Sequence, residues 1–491
     1  MKGDRDKRSP GYPLRGERGT ILTQAPCRVA LGYPARYGVA VSSLGFQSIY
    51  RALNELPGVA CRRFFAPEPG DDQKPLLTVE DGAPVSDSSA VALSLACERE
   101  LLEAIELLEA ANIPPLAERR DQRHPPVVIG GPLTRLDPEL VAPLADVVVV
   151  EEAEPLLSFV FETLRDSGDR RSFLEALAEA VTVPGLWLPS ADATPPPPAH
   201  ASVEMLPARA STWSDRAELS GMFLIEAARG CPRGCRFCVM SAVADGSGPF
   251  RPVPLDRILA GIPREARAVG LVGAAVTDHP RIGEIVERLV DGGRRVALSS
   301  VRADRLDERL ARCLRRGGLR TVTLAADGSS QRLRRFLRKG LDSDDLLRAA
   351  EAVAAAGIPS IKLYAMLGLP GEEDEDVLEL AELVRRFPDG VRIGLAAQAF
   401  VPKPRTPLAG ERIADPRTVR RRLSLLAREL RGRARLLPTS PRWSWVDWKL
   451  AHAGRKAVST ALRARELNGT HAAWRRAVDE VLVPSQPLPF G

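Results

Sequence analysis

The stretch Arg229-Gly230-Cys231-Pro232-Arg233-Gly234-Cys235-Arg236-Phe237-Cys238 holds three of the chain's seven cysteines at spacing C-x3-C-x2-C. Small, turn-forming and basic residues between them let the segment fold back and point three thiolates at one centre. Thiolate is the soft ligand that iron–sulfur clusters and zinc take, and flanking arginines favour the deprotonated form. A closed zinc site or a fully ligated cluster wants a fourth protein ligand, and the next cysteine, Cys313, lies far downstream. Three thiolates therefore leave one coordination position open.

Such a loop needs a scaffold to hold it, and 491 residues are enough for two or three domains. With 44% hydrophobic residues and no long uncharged apolar run, the chain reads as soluble and globular. In the first half, strands are expected at Arg28–Tyr33, Ala60–Phe65, Ala90–Leu95, Val127–Ile129 and Val147–Val150. Helices are expected at Leu44–Leu56, Glu98–Ala111 and Pro155–Leu164. Continuous apolar runs alternating with helices predict a doubly wound parallel sheet, whose ligands sit at the carboxyl ends of the strands. Pro34, Ser42, Ser43, Gly130 and Gly131 would lie there.

In the second half, strands recur at Phe223–Ala227, Gly270–Val276, Val296–Val301, Arg320–Ala325, Ser360–Leu367 and Arg392–Phe400. Six βα units predict a partial (βα)6 barrel with its site at the carboxyl strand ends, and the cysteine loop follows the first of these strands. The boundaries read as a disordered tail over 1–20, the sheet domain over 21–165 and a Pro-rich linker over 166–219. The barrel follows over 220–410 and a basic, helical C-terminal extension over 411–491.

The cysteine loop resembles that of the radical S-adenosylmethionine (SAM) enzymes. Cys231, Cys235 and Cys238 match the ligands of a [4Fe–4S] cluster, and Phe237 matches the aromatic residue that usually precedes the third. The resemblance implies that SAM chelates the open iron and is cleaved reductively to a 5′-deoxyadenosyl radical, with a reductant such as flavodoxin or ferredoxin. Later loops resemble the family as well. Gly273-Ala274-Ala275 before His279-Pro280 stands where Gly-Gly-Glu holds the SAM amino group, although the glutamate is missing. Ser299-Ser300-Val301-Arg302 ends the third strand, and Ala326-Asp327-Gly328-Ser329 resembles a Glu-x-Gly-Ser turn with Asp for Glu. Lys362-Leu363-Tyr364 and Gly368-Leu369-Pro370-Gly371-Glu372 follow the pattern of the cobalamin-domain branch. The resemblance thus implies cofactor contacts from Phe237, Gly273, Ala274, Ser299, Arg302, Asp327, Ser329 and Gly368. His279, a lone histidine before proline, reads as a helix-start or packing residue.

The N-terminal half resembles the cobalamin-binding-type domain of that branch, through Tyr33–Tyr37, Ser43–Gln47, Ile49-Tyr50 and Gly130-Gly131-Pro132. Two departures speak against cobalamin itself. No D-x-H-x-x-G motif supplies a histidine to cobalt, and His124 has Gln122 two residues before it. Glu151-Glu152-Ala153-Glu154 also stands where relatives show Gly-Glu-Gly-Glu, and a buried unpaired carboxylate there would oppose the corrin.

Two other readings stay open. Cys27, Cys61 and Cys97 are spaced like the second-cluster ligands of a tRNA-modifying methylthiotransferase, although Cys27 and Cys61 open apolar strands. Loss of the glutamate at Ala275 fits a non-catalytic iron–sulfur binding or regulatory protein. The net charge is +6, and from Glu411 to Glu480 there are 17 Lys/Arg against 7 Asp/Glu. That excess reads as a solvated basic face and gives no strong nucleic-acid signal, so a small molecule, a peptide and RNA all remain as substrates. An odd number of cysteines clustered at one site fits a reducing, cytoplasmic setting, with no membrane partner.

Overall fold

The computed structural model describes residues 14–68, 75–180, 183–240 and 249–482, and the chain folds into two compact units. The first comprises Met1–Met222 with Leu450–Pro484, and the second Phe223–Lys449.

The first unit begins with β1 (Cys27–Tyr33), α1 (Tyr37–Ala40), α2 (Leu44–Glu55), β2 (Val59–Phe65), β3 (Ala90–Ser94) and α3 (Glu100–Ala110). It continues with β4 (Val127–Gly130), α4 (Pro132–Leu136), β5 (Val147–Val149), α5 (Leu157–Ser167), α6 (Arg170–Ala178) and β6 (Leu186–Trp187). The strands line up as β2-β1-β3-β4-β5-β6, parallel except for β6, which runs antiparallel to β5. β2 and β5 are buried along their whole length, as a sheet covered on both faces requires, and this is why they read as unbroken apolar runs. The order 2-1-3-4-5 places a topological switch between β1 and β3, with the ligand side at their carboxyl ends.

Two of the expected boundaries fail here. Residues 14–20 are not a disordered tail. The Glu17 carboxylate is buried, accepts from the equally buried Arg63 guanidinium at 2.5 Å and from the Tyr37 hydroxyl at 2.7 Å. Met1–Pro13 lie outside the described residues. The expected linker starts too early, because α6 buries Phe173 and Leu177 in the same core as β1 and β2, and β6 completes the sheet. A short helix with few apolar positions resembles a linker in sequence, yet two buried side chains suffice to dock it.

The second unit carries β7 (Phe223–Glu226), the short hairpin of β8 (Ala228–Arg229) and β9 (Arg251–Pro252), α7 (Leu255–Ala260), β10 (Ala268–Val272) and α8 (Ile282–Asp291). Then come β11 (Arg295–Leu298), α9 (Glu308–Arg316), β12 (Thr321–Asp327), α10 (Gln331–Phe336), α11 (Ser343–Ala355), β13 (Ser360–Leu367), α12 (Asp374–Arg385), β14 (Arg392–Ala399), α13 (Pro416–Glu429) and β15 (Ala434–Pro438). All pairings of β7, β10 and β11 and of β12 to β15 are parallel, and a bridge from Val301 to Leu324 joins the two sheets into an open barrel. β15 was not expected. Its burial is only partial, so no apolar run announces it.

Residues 411–491, expected as one helical extension, are divided. α13 and β15 belong to the barrel, and α14 (Pro441–Ala451) spans the boundary between the units. α15 (Lys456–Glu466) and α16 (His471–Val481) pack in the first unit beside α3, where Arg465 donates to Glu109 and Arg455 donates to Glu139 at 2.7 Å. No helix among the described residues is long and apolar enough to cross a membrane.

Candidate functional site

The cysteine loop leaves the carboxyl end of β7 and is pinned at two points by its own arginines. Arg233 donates from Nε to Asp278 at 3.2 Å, tying the loop to the turn after β10. The Arg236 backbone N–H donates to the Leu337 carbonyl at 3.0 Å, and its guanidinium lies 4.5 Å from the centre of the Phe336 ring. At the loop's root, Arg229 grips the buried Glu226 carboxylate with two donors at 2.7 and 2.8 Å. A bidentate pair of this kind fixes orientation as well as charge.

Cys235 feels Cys231 and Cys238, and Cys238 feels Cys231, so the three thiols lie within electrostatic reach of one another. Burial pushes the Cys235 thiol up to about 11 and raises Cys238 as well. Both are therefore protonated without a cation and release protons when a metal centre binds. The same thiols feel the charges of Lys339 and Asp327, so those two side chains border the loop. Three cysteines in one loop, with no fourth cysteine near them in the sequence, and an adjacent ion pair fit a cluster with one open corner better than a closed zinc site.

Asp327 ends β12 at a register shift and holds φ +59°, the left-handed region. Such a backbone costs on the order of 1–3 kcal/mol for a non-glycine residue and persists where its surroundings hold it. Here the holding contact is Lys339, whose Nζ lies 2.6 Å from Oδ2. Lys339 is in turn positioned by Arg302, which donates to the carbonyls of Lys339 and Gly340 at 3.1–3.3 Å and to Asp304 at 2.9 Å. The sequence reading assigned Arg302 to the cofactor. Its guanidinium is committed to building the turn that carries Lys339.

The other expected residues separate into two groups. Gly273 follows β10, and a Cβ there would lie 2.5 Å from the Ala228 carbonyl, so only glycine lets the loop after β10 approach the hairpin. Its carbonyl accepts from the exposed Ser299 hydroxyl at 3.2 Å, and Ala274 beside it is exposed. Phe237 packs against the apolar group of Leu333, Leu337, Met366, Leu369, Phe400 and Leu408, so the residue expected to contact the cofactor also has a place in a core. These four residues lie on the loops that follow β7, β10 and β11.

Ser329 and Gly368 are different, because both are built into a buried network. The Ser329 hydroxyl is fully buried and donates to Glu372 at 2.8 Å. The Gly368 N–H donates to the other Glu372 oxygen at 2.5 Å, and Arg422 donates to that oxygen at 2.9 Å. A Cβ on Gly368 would lie 2.8 Å from that of Ala414. Their role as direct cofactor contacts is not what the geometry offers: they join the turns after β12 and β13 to α13. Burial raises the Glu372 carboxyl despite these partners.

His279 is also spent. It is buried, its Nδ1 accepts from the Arg281 N–H at 3.0 Å and its Nε2 donates to the Val253 carbonyl at 2.8 Å. Burial lowers its basicity, so the ring is neutral with the proton on Nε2. The second-cluster alternative fails on register. Cys27 lies five residues before Gly32, which pairs with Leu93, while Cys97 follows Leu93 by four. Five strand residues alone span about 17 Å, so Cys27 and Cys97 mark opposite ends of the sheet.

At the carboxyl ends of the first sheet, Glu151 adopts φ +76°, a left-handed conformation that glycine takes without strain. Its carboxylate pairs with Arg135 of α4, and its N–H donates to the Thr134 hydroxyl at 3.0 Å. The unpaired charge expected at this position is thus absent. His124 sits before β4, at the opposite end from the ligand side, close to Asp121.

Two family models match the chain. Residues 45–189 match the N-terminal model of radical SAM proteins, and residues 225–384 match the radical SAM superfamily. An uncharacterized protein of Methanocaldococcus jannaschii, MJ0966, is 26% identical over 384 residues, covering 77% of this chain and 78% of its own. An uncharacterized methyltransferase of Pyrococcus horikoshii, PH0819, is 23% identical over 268 residues, covering 51% of this chain and 56% of its own. Among solved structures, the cobalamin-dependent SAM radical enzyme OxsB with aqua-cobalamin bound is similar at a TM-score of 0.52 and 13% identity. That match covers 74% of this chain and about half, 53%, of OxsB. With SAM also bound, OxsB matches at a TM-score of 0.51 and 12% identity over 90% of this chain and 68% of its own. A cysteine loop on the first barrel strand, a doubly wound sheet before it and two adjoining family matches make the chain a member of the radical SAM superfamily of enzymes, with a fold like that of OxsB.

Proposed function

We propose that this chain holds a [4Fe–4S] cluster on Cys231, Cys235 and Cys238, binds SAM at the open corner and starts radical chemistry on an organic substrate. When bound and reduced, the cluster supplies the electron that splits SAM into methionine and a 5′-deoxyadenosyl radical, which takes a hydrogen atom from the substrate. The observation that carries this reading is the Asp327–Lys339 ion pair, whose charges act on the Cys235 and Cys238 thiols. Opposite charges at that place suit a zwitterion: Asp327 can accept from the SAM ammonium and Lys339 can donate to its carboxylate. Arg302 holds the Lys339 turn, and Gly273 lets the loop after β10 close in. A flavodoxin or ferredoxin is the fitting reductant, because the chain offers no other cysteine set to relay electrons. Protein purified without oxygen and reduced with dithionite should convert SAM to 5′-deoxyadenosine. Zinc in place of iron, or no 5′-deoxyadenosine from an intact reduced cluster, would overturn the proposal.

A second reading concerns the first unit, in which the sheet accepts a corrin without a protein ligand to cobalt and the overall reaction is a methyl transfer. Arg135 pairs with the Glu151 carboxylate, so the objection from charge falls. The methyltransferase name of the Pyrococcus relative and the cobalamin in OxsB point the same way. Reconstitution with hydroxocobalamin, gel filtration and a visible spectrum should show about one corrin retained per chain. Elution free of corrin would refute it.

A further inference from the structure

The motif Lys362-Leu363-Tyr364 has no part in the reading so far, and its geometry is unusual for a charged residue. β13 alternates over Ser360–Ala365: Ile361, Leu363 and Ala365 are buried on the face covered by α11 and α13, whereas Lys362 and Tyr364 are half-buried on the opposite, concave face. Lys362 Nζ lies 4.8 Å from the centre of the Tyr364 ring, so the side chain runs along the strand towards its carboxyl end. Its neighbours in register are Thr323 and Gly394, and those of Tyr364 are Ala325 and Ala396. These short side chains leave space around both groups.

Among the described residues, Lys362 has no ion pair, and neither the ammonium nor the Tyr364 hydroxyl has a hydrogen-bond partner. The nearest acid along the concave face of β12, Asp327, is already taken by Lys339. A half-buried ammonium with only an aromatic face for company is incompletely satisfied, and an anion would complete it. Three donors on the ammonium and one on the phenol suit a carboxylate or a phosphate. Asp327 pairs with Ala365, three residues beyond Lys362, so about 10 Å of strand separates this cation from the cofactor end.

We propose that Lys362 and Tyr364 form the anion-binding site of the substrate, which carries a carboxylate or phosphate held inside the barrel while its reacting carbon faces the cysteine loop. The inference rests on the SAM reading of that loop. It is tested on the full, cluster-loaded chain by acylating lysines with acetic anhydride under anaerobic conditions and reading each site by peptide mass spectrometry. Inorganic phosphate and succinate are the probes, and exposed Lys456 is the internal reference. With a probe at ten times its Kd, acylation of Lys362 should fall about tenfold while that of Lys456 is unchanged. Protection by phosphate alone identifies a phosphate-bearing substrate, and protection by succinate alone a carboxylate. No protection by either anion overturns the proposal. Protection by SAM alone also overturns it, because the cation would then belong to the cofactor. Lys362→Gln should keep wild-type iron content and SAM affinity, so failure of the SAM reading would appear in those values and not in the labelling.

Discussion

The carboxyl strand ends of the two units treat charge in opposite ways. In the first unit, the polar groups close on one another: Arg135 pairs with Glu151, and the Thr134 hydroxyl, which accepts from the Glu151 N–H, has the Gly131 and Val149 carbonyls at 2.9 and 3.0 Å as acceptors for its one proton. In the barrel, the Asp327–Lys339 pair stands beside the Cys235 and Cys238 thiols, and deeper on the concave face, away from the strand ends, Lys362 has no counter-ion among the described residues. A satisfied end is stable without a ligand. An end with exposed or unmatched charge gains its remaining partners when something binds, so the barrel is the unit whose completion depends on cofactor and substrate.

The largest test of this contrast is removal of a thiol. Cys231→Ala, Cys235→Ala and Cys238→Ala should each abolish cluster iron and sulfide, because two thiolates cannot hold a cluster with an open corner. Full iron in all three single variants would place the centre elsewhere. On the other side, Arg135→Ala leaves the Glu151 carboxylate buried without its partner and should destabilise the first unit by about 3 kcal/mol. Pairing it with Glu151→Gly should recover most of that loss, since the glycine removes the charge and suits the positive φ. Chemical denaturation of both variants measures it, and equal instability of single and double variants would break the account.

The sequence made the strands of both sheets legible because parallel strands buried on two faces read as apolar runs, and β1, β2, β13 and β14 fall within a residue or so of expectation. What it hid is instructive. β15 is half-exposed, α6 docks on two side chains, and the C-terminal helices pack in the first unit, more than 300 positions from the partner of Arg465. In the site, motif resemblance singles out the cysteines and Asp327, because spacing and turn type are local. Lys339 was missed, since only the fold brings it to Asp327. Ser329 and Gly368 were placed at the cofactor because their motif is local, whereas Glu372 and Arg422, which engage them, become visible only in three dimensions.

A smaller effect sharpens the contrast at the cofactor itself. Asp327→Ala should leave iron unchanged and weaken SAM binding about tenfold to a hundredfold, the cost of a hydrogen bond to a charged ammonium, roughly 1.5–3 kcal/mol. Equilibrium dialysis with SAM decides it. An unchanged dissociation constant would remove Asp327 from the pocket.

His279 gives the smallest expected effect and marks the limit of the contrast, because it lies in the barrel unit yet is satisfied like the groups of the first. Both ring nitrogens are occupied, by the Arg281 N–H and the Val253 carbonyl, so the residue supports the turn after β10 and has no proton to exchange. His279→Gln, whose amide can still donate to Val253, should leave 5′-deoxyadenosine formation within about threefold of wild type, since no catalytic proton transfer worth 10²–10⁴-fold is removed. Stability should respond to pH instead. Burial holds the folded-state pKa below the ordinary 6.5, so the unfolded chain binds more protons between the two values. The contribution of His279 is therefore complete above pH 6.5 and is lost as the pH falls through the window below it. Wild-type protein should lose more thermal stability than His279→Gln on acidification from pH 7 to 5, and parallel losses in the two proteins would show that the ring is not held neutral by the fold.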